Sequence, residues 1–204
     1  LSLPVPSEVP FKNKDNPILY VGRIHPEKGI GELMQAWQKL KPDLKNGWRV
    51  KILGPWKQEQ GGAGAQYLKK LQSLISVDAE IVDPIFDPTE LQKEYLKARI
   101  FAYPSFAEKG ETFGLSVLEA MSAGCVPLLS QLECFQDFAK DGSNAIFFDH
   151  RTSNRADELT QTLASTLANV EKLRSLSKAA LVTARKYDIT QVAQRYTDDF
   201  SRIL

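Results

Sequence analysis

Short apolar runs alternate along the chain with longer segments in which apolar residues recur every three or four positions. The runs are nearly continuous, as in strands that are buried on both faces of a parallel sheet. They predict strands at 17–21, 48–53, 79–82, 100–103, 126–129 and 145–148. Because these strands alternate with helical segments, we expect an α/β fold with a doubly wound, Rossmann-like parallel sheet that carries helices on both faces.

The segments between the apolar runs have the period of amphipathic helices. The clearest helix start is at Asp87, which is a suitable N-cap, with Pro88 at the first helical position and Glu90 able to reach back to the cap. Helices are predicted at 30–40, 65–75, 88–97, 114–123, 135–139, 156–169, 172–186 and 190–204. Polar motifs follow several of the predicted strands, at the sheet edge where such folds bind ligands.

The chain divides into three parts by composition. Residues 1–16 are proline-rich and irregular, which predicts a linker from an upstream segment. Residues 17–187 form the predicted Rossmann-like domain, and residues 188–204 form a predicted amphipathic helix. The apolar stripe of that helix requires a partner surface. It consists of Ile189, Val192, Ala193, Tyr196, Phe200 and Ile203.

Length and charge exclude several classes of protein. The 204 residues are enough for one α/β domain, and 26 Lys and Arg against 25 Asp and Glu, without a charge block, predict no nucleic-acid surface. No apolar run is long enough to span a bilayer. The chain begins with Leu and shows no signal peptide, so we expect a piece of a longer, cytoplasmic protein.

The cysteines and histidines predict neither a disulfide framework nor a metal site. The two cysteines, Cys125 and Cys134, are expected to be thiols in a reducing compartment. The two histidines, His25 and His150, have no cluster of further ligands around them in the sequence. We therefore expect no bound metal, and we expect His25 to face solvent.

The segment 108–130, EKGETFGLSVLEAMSAGCVPLLS, combines a loop, a helix and a strand. The start of the predicted helix, near Gly114, exposes unpaired N–H groups and a partial positive charge, so it can hold a phosphate. Glu111 precedes the helix and Glu119 lies within it, nearly opposite its apolar face. Taken alone, either glutamate is compatible with an ordinary solvated carboxylate.

The filled pattern E-x-F-G-x4-E-A-M-x-A-G-x-x-P resembles the donor-binding motif of retaining glycosyltransferases with the GT-B fold, a family that includes glycogen and sucrose synthases. The resemblance spans residues 18–204 and covers only the donor half of such an enzyme. It implies an N-terminal acceptor domain upstream of this chain. The matching residues are Glu111, Phe113, Gly114, Glu119, Ala120, Met121, Ala123 and Gly124.

A second segment, from Gly22 to Gly29, resembles the glycine-arginine and lysine-glycine pairs of the same family. The resemblance implies that Arg23 and Lys28 bind the donor diphosphate. Independently of the resemblance, a nucleoside diphosphate leaving group gains negative charge, which an Arg fork, a Lys ammonium and a helix N-terminus can stabilise together. These groups can replace a metal ion. The alternative is a charged surface loop without a ligand.

The resemblance also assigns further contacts. It implies that Glu119 accepts hydrogen bonds from the ribose, that Glu111 binds hydroxyls of the sugar, and that Ile85 lies near the base. The predicted catalytic residues are Glu111, Arg23 and Lys28. The predicted donor-binding residues are Gly22, Arg23, Lys28, Ile85, Glu111, Phe113, Gly114, Leu115 and Glu119.

The function implied by the resemblance is retaining transfer of a hexosyl group from a UDP-, GDP- or ADP-sugar, without a further cofactor. The isolated chain is expected to be inactive, and the full-length enzyme could make peripheral contact with a membrane. A non-catalytic nucleotide-binding module of the same fold is the alternative. A dinucleotide-dependent dehydrogenase is disfavoured, because the glycines around Gly62 are followed by Tyr67 where the fingerprint needs a third glycine.

Overall fold

The computed structural model describes residues 10–203, and side chains up to residue 202. Six parallel strands form one sheet in the order β3-β2-β1-β4-β5-β6. The order reverses between β1 and β4, as in doubly wound folds, so the predicted fold class is confirmed. The strands are β1 (Pro17–Val21), β2 (Arg49–Leu53), β3 (Ala79–Val82), β4 (Ile100–Tyr103), β5 (Val126–Ser130) and β6 (Ile146–Phe148).

The helices follow the predicted segments with shifts of a few residues at their ends. They are α1 (Ile30–Lys39), α2 (Pro42–Lys45), α3 (Ala65–Gln72), α4 (Pro88–Lys97), α5 (Leu115–Ser122), α6 (Arg155–Leu167), α7 (Val170–Arg185) and α8 (Ile189–Ile203). The short helix α2 was not predicted. The helix predicted at 135–139 is wrong, since that region contains a 3₁₀ turn at Glu133–Phe135. Leu204, the predicted last helical residue, lies outside the described residues.

Burial accounts for the apolar sequence of the strands at the middle of the sheet. Every residue of β1, β4 and β5 is buried, because helices cover both faces of the sheet there. At the edge, the residues of β3 are only partly buried or exposed. Continuous apolar runs are therefore found where both faces are covered, and the most uniform runs mark the centre of the sheet. None of the helices within residues 10–203 combines the length and apolar character that crossing a membrane requires.

The predicted cap of α4 is confirmed, and its predicted capping box is wrong. Asp87 Oδ1 accepts hydrogen bonds from the N–H groups of Thr89 and Glu90, both at 2.9 Å. This contribution is worth about 1 kcal/mol. The Glu90 side chain does not return to the cap but accepts a hydrogen bond from Lys93 Nζ at 2.6 Å.

The described part of the predicted linker, residues 10–16, is anchored to the domain. Lys14 is buried, and its Nζ donates to the carbonyl oxygens of Leu96 and Ala98, both at 2.9 Å. These carbonyls are at the end of α4, so Lys14 satisfies acceptors that the helix leaves unpaired. Burial lowers the pKa of Lys14. Residues 1–9 lie outside the described residues.

The apolar stripe of α8 has little cover within the described part of the chain. Tyr196 and Phe200 are 65% and 63% exposed, and Val192 is half-buried. Between α8 and the start of α5 lies a groove of about 520 Å³. The side chain of Ile203 lies outside the described residues. The stripe therefore forms an exposed apolar face beside this groove.

Candidate ligand-binding site

Two loops meet at the point where the strand order reverses. One loop, residues 22–29, follows β1, and the other, residues 104–114, follows β4. The N–H of Phe106 donates to the carbonyl oxygen of Glu27 at 2.7 Å, which joins the loops directly. In doubly wound folds the crevice outside these strand ends is where ligands bind. The two predicted motifs are therefore neighbours in the structure.

Lys28 and Glu111 form a buried ion pair between the two loops. Lys28 Nζ donates to Glu111 Oε2 at 2.7 Å, and the side chains are only 5% and 11% exposed. Tyr103, at the end of β4, donates its hydroxyl to the same Oε2 at 3.0 Å. Two of the three predicted catalytic residues are thus in direct contact, and a tyrosine that was not predicted supports them.

Aromatic rings form the floor beneath this pair. The rings of Tyr20 and Tyr103 are stacked with centroids 5.6 Å apart, and Phe135 packs edge-on against Tyr103 at 6.0 Å. Lys28 Nζ lies 5.7 Å from the centroid of the Tyr103 ring. Burial, followed by the nearby charge of Glu111, raises the pKa of Tyr103. At neutral pH the Tyr103 hydroxyl therefore keeps its proton and remains a hydrogen-bond donor.

Arg23 lies at the surface of the same region and does not contact the pair. Its Nη2 is 3.2 Å from Glu27 Oε1, its Nη1 donates to the carbonyl oxygen of Gly61 at 3.1 Å, and its side chain is 46% exposed. His25 only partly faces solvent: its side chain is 36% exposed, but its Nδ1, 3.5 Å from Glu27 Oε1, is buried and has no hydrogen-bond partner within residues 10–203. Exposed ion pairs contribute little, so a ligand can recruit Arg23 at low cost.

The glycine-rich segment around Gly61 follows β2 rather than β1. It is bound to the first loop, since Ala63 N–H donates to the carbonyl oxygen of Ile24 at 3.0 Å and Ile24 N–H donates to that of Pro55 at 2.8 Å. A dinucleotide fingerprint belongs at the first βα turn of such a fold. The segment is therefore bonded to the loop that carries Arg23 and Lys28, and its position after β2 does not match that of a dinucleotide fingerprint.

The start of α5 is a second anion-compatible feature of the site. The helix begins at Leu115, one residue later than predicted, with Gly114 as its cap at φ +76°. No side chain caps its first N–H groups, which an α-helix leaves without internal partners. Phe113 packs against Phe138 with centroids 5.6 Å apart, and Leu115 is 49% exposed. Within residues 10–203, the N–H groups of Leu115 and Ser116 have no hydrogen-bond partner, whereas that of Val117 donates to the carbonyl oxygen of Gly114 at 2.9 Å. The helix start is therefore held in place with two backbone donors available.

Glu119 is not the solvated carboxylate of the alternative interpretation. It is half-buried, and its Oε2 accepts a hydrogen bond from the Tyr95 hydroxyl of α4 at 3.1 Å. Burial raises the pKa of Glu119, and the bond from Tyr95 opposes this shift. Glu119 lines the groove between α5 and α8, which Lys28 and Glu111 do not line. The start of α5 is therefore the element that connects the two parts of the site.

The remaining predicted residues are at the margins of this arrangement. Gly22 ends β1, and its N–H donates to the carbonyl oxygen of Leu53 at 3.1 Å. Ile85 lies in the segment between β3 and α4, half-buried against the core. Ile85 does not line the groove between α5 and α8. Its predicted place near a base stays a prediction.

A cluster that the sequence did not reveal anchors the loop after β4. His150 is 2% exposed, and its Nε2 lies 2.9 Å from Glu108 Oε1, which is also 3.0 Å from Arg151 Nε. The bond to His150, followed by the charge of Arg151, lowers the pKa of Glu108. The cluster joins residues more than forty positions apart, and no motif marks it. Within residues 10–203, no three His, Cys, Asp or Glu side chains converge as metal ligands.

Sequence comparisons identify the proteins that this chain is similar to. A family model described as glycosyl transferases group 1 matches residues 5–182. A lipopolysaccharide 1,2-N-acetylglucosaminetransferase of Salmonella typhimurium is 29% identical over 184 residues, which cover 89% of this chain and 47% of the relative. A GDP-mannose:cellobiosyl-diphosphopolyprenol alpha-mannosyltransferase of Xanthomonas oryzae is 28% identical over 190 residues, which cover 90% of this chain and 46% of the relative. The chain spans about half the length of these curated relatives.

Solved structures share the fold. Sucrose-phosphate synthase from Thermosynechococcus elongatus matches with a TM-score of 0.74 and 23% identity over 95% of this chain and 47% of that chain. Anabaena HepE in complex with UDP and glucose matches with a TM-score of 0.72 and 17% identity, over 93% of this chain and 49% of that chain. The C-terminal domain of a group 1 glycosyl transferase, LpcC from Francisella tularensis, matches with 0.70 and 17% identity over 93% of this chain and 99% of that chain.

Proposed function

The chain belongs to the glycosyl transferases group 1 family, and on this premise we propose that it binds a nucleotide-diphosphate sugar where the strand order of its sheet reverses. The observation that carries the proposal is the buried contact of Lys28 with Glu111, at 2.7 Å, beside the uncapped start of α5. A cation, a hydroxyl-binding carboxylate and free backbone donors within one crevice suit a ligand that has both phosphates and sugar hydroxyls.

The diphosphate would be bound by cationic groups and backbone N–H groups without a divalent metal. Lys28 supplies a buried ammonium, Arg23 an exposed guanidinium that a ligand can attract, and Gly114 and Leu115 the start of α5. Charge that develops on a departing diphosphate is stabilised by such groups. Phe113 supports them by holding the helix start against Phe138.

The two glutamates would bind the two sugars of the donor. Glu119 is half-buried in the groove beside α5, where it can accept hydrogen bonds from a ribose. Glu111 has its second oxygen, Oε1, available for hydroxyls of the transferred sugar, since Lys28 and Tyr103 both donate to Oε2. Ile85 would lie against the base. UDP is the first nucleotide to test, because Anabaena HepE, with the same fold, is described in complex with UDP.

The full reaction would be retaining transfer of a hexosyl group to an acceptor bound by a further, N-terminal domain. The relatives are about twice as long as this chain, which supports a second domain. Catalysis requires that donor and acceptor are held in reacting geometry. We therefore expect the chain by itself to bind donor but not to transfer sugar, and robust transfer in a turnover assay with candidate acceptors would contradict this expectation.

Calorimetric titration with UDP, GDP, ADP and NAD in the presence of EDTA tests the proposed function. We expect one nucleoside diphosphate to bind, and Arg23→Ala to weaken it by about 1.5–3 kcal/mol, the range for a hydrogen bond to a charged group. Arg49→Ala is the matched control, because Arg49 is 51% exposed at the start of β2. A strict requirement for magnesium would refute metal-free binding, and preference for NAD would refute the donor site.

Replacing Glu119 by glutamine is expected to weaken nucleotide binding without lowering the stability of the fold. The substitution should weaken the nucleoside diphosphate by about 1.5–3 kcal/mol while leaving inorganic pyrophosphate unaffected, because pyrophosphate has no ribose. The raised pKa of Glu119 in the folded state means that its ionised form opposes folding. This effect is absent below the unfolded-state pKa and grows as the pH rises through the folded-state pKa.

The Glu119→Gln variant should therefore be at least as stable as the wild type at pH 7 in urea titrations. Glu171→Gln, at an exposed position on α7, is the control for ligand binding. Equal losses for the nucleotide and for pyrophosphate would show that Glu119 does not contact a ribose.

A further inference from the structure

Lys28 has two competing partners if the proposed function is correct. In the structure its ammonium is bound to Glu111, and on ligand binding it would also neutralise a diphosphate. Two anions would then share one cation in a site where the side chains are only 5% and 11% exposed. Like charges that are close together in such a poorly solvated place repel strongly. Glu111 therefore needs another donor to stay in place when the diphosphate arrives.

We propose that Tyr103 is a positioning residue that holds Glu111 in the donor site while Lys28 turns to the diphosphate; this inference rests on the proposed function. The Tyr103 hydroxyl and Lys28 Nζ converge on the same oxygen of Glu111, at 3.0 Å and 2.7 Å. Tyr103 carries no charge, so an incoming anion gains less from its hydroxyl than from the Lys28 ammonium. It leaves Glu111 Oε1 available for a sugar hydroxyl.

The surroundings of Tyr103 suit this task. Its ring is stacked on Tyr20 at an interplanar angle of 9° and packs edge-on against Phe135, so the position of its hydroxyl is determined by packing. The backbone that carries Tyr103 is buried along β4 and pairs with β1 and β5, so neighbouring strands hold it on both sides. Within residues 10–203, its hydroxyl makes its one hydrogen bond to Glu111. Both loops can therefore adjust to a ligand while this donor stays where it is.

A double-mutant cycle tests the proposal. Tyr103→Phe, Glu111→Gln and the double variant are titrated by calorimetry at pH 7 in EDTA with inorganic pyrophosphate and with UDP, GDP and ADP. We expect Tyr103→Phe to weaken diphosphate binding roughly three- to tenfold, because the charged Glu111 loses its neutral donor. Glu111→Gln should tighten binding, because Lys28 is released. In the Glu111→Gln background, Tyr103→Phe should change the affinity less than twofold.

Tyr67→Phe is the control for loss of a hydroxyl from a half-buried tyrosine elsewhere, on α3. It should leave the affinity unchanged. A purely structural role of Tyr103 would give the same loss of affinity with and without the Glu111 charge, and that result overturns the inference alone. If none of the four ligands binds to the wild type, the proposed function itself is wrong and this inference falls with it.

Discussion

Replacing Gly29 by alanine is expected to lower the free energy of unfolding by about 2–5 kcal/mol and to abolish diphosphate binding. Gly29 has φ +69°, and a Cβ there would lie closer than 3.0 Å to the carbonyl oxygen of Pro104, a distance that Cβ atoms essentially never show. The obstacle is backbone, so it cannot be relieved by a change of rotamer. The loop that carries Lys28 would have to move away from the loop that carries Glu111.

Gly142→Ala is the matched control for this prediction. Gly142 has nearly the same backbone angle, φ +67°, but a Cβ there would meet no atom within 4 Å. It should cost only the left-handed strain, about 1–2 kcal/mol, and leave ligand binding intact. Urea titrations give the loss of unfolding free energy in each variant. The difference between the two losses reports the collision with the Pro104 carbonyl alone. Equal losses would show that the junction of the two loops relaxes freely.

Replacing Lys28 by methionine is expected to cost about 3–5 kcal/mol of stability and to remove diphosphate binding, because it leaves Glu111 ionised and buried without its cation. Adding Glu111→Gln should restore most of the stability, since a neutral amide needs no counter-charge. It should not restore binding. Chemical denaturation combined with titration of the nucleoside diphosphate separates these two effects.

The control for Lys28 is an ion pair of similar length at the surface. Lys93 Nζ lies 2.6 Å from Glu90 Oε1, but the two side chains are 55% and 56% exposed. Lys93→Met should therefore cost far less stability than Lys28→Met. If Lys28→Met were equally mild, the pair with Glu111 would not be buried in solution, and the loops would be open without ligand.

These predictions describe a site whose unliganded form is internally neutralised. Lys28 is paired with Glu111, and Arg23 is paired with Glu27 at the surface. A donor would have to exchange both contacts for contacts with its phosphates. The exchange at Arg23 costs little free energy because that pair is exposed. When Lys28 leaves Glu111, the buried carboxylate needs another hydrogen-bond donor. Sugar hydroxyls and the Tyr103 hydroxyl are the groups that can provide it.

The sequence by itself determined the sheet and the main helices, and it singled out the residues of the candidate site that lie within one segment. Continuous apolar runs identify β1, β4 and β5. These strands are covered on both faces, so every position along them requires a residue that tolerates burial. Local hydrogen bonding likewise determines the cap at Asp87. Glu111 and Glu119 were singled out because the whole pattern of residues around them, from Glu111 to Pro127, resembles a family motif.

Only the tertiary structure decided which of these residues are in contact. Lys28 and Glu111 are 83 positions apart, and they meet because β1 and β4 are neighbours in the sheet. Packing also brings together the other hydrogen-bonded pairs of the site. Tyr103 donates to Glu111, Tyr95 donates to Glu119, and His150 lies against Glu108. Local periodicity reports which face of an element is buried, but it does not report which element covers that face. The strand order supplies that information, and with it the geometry of the site.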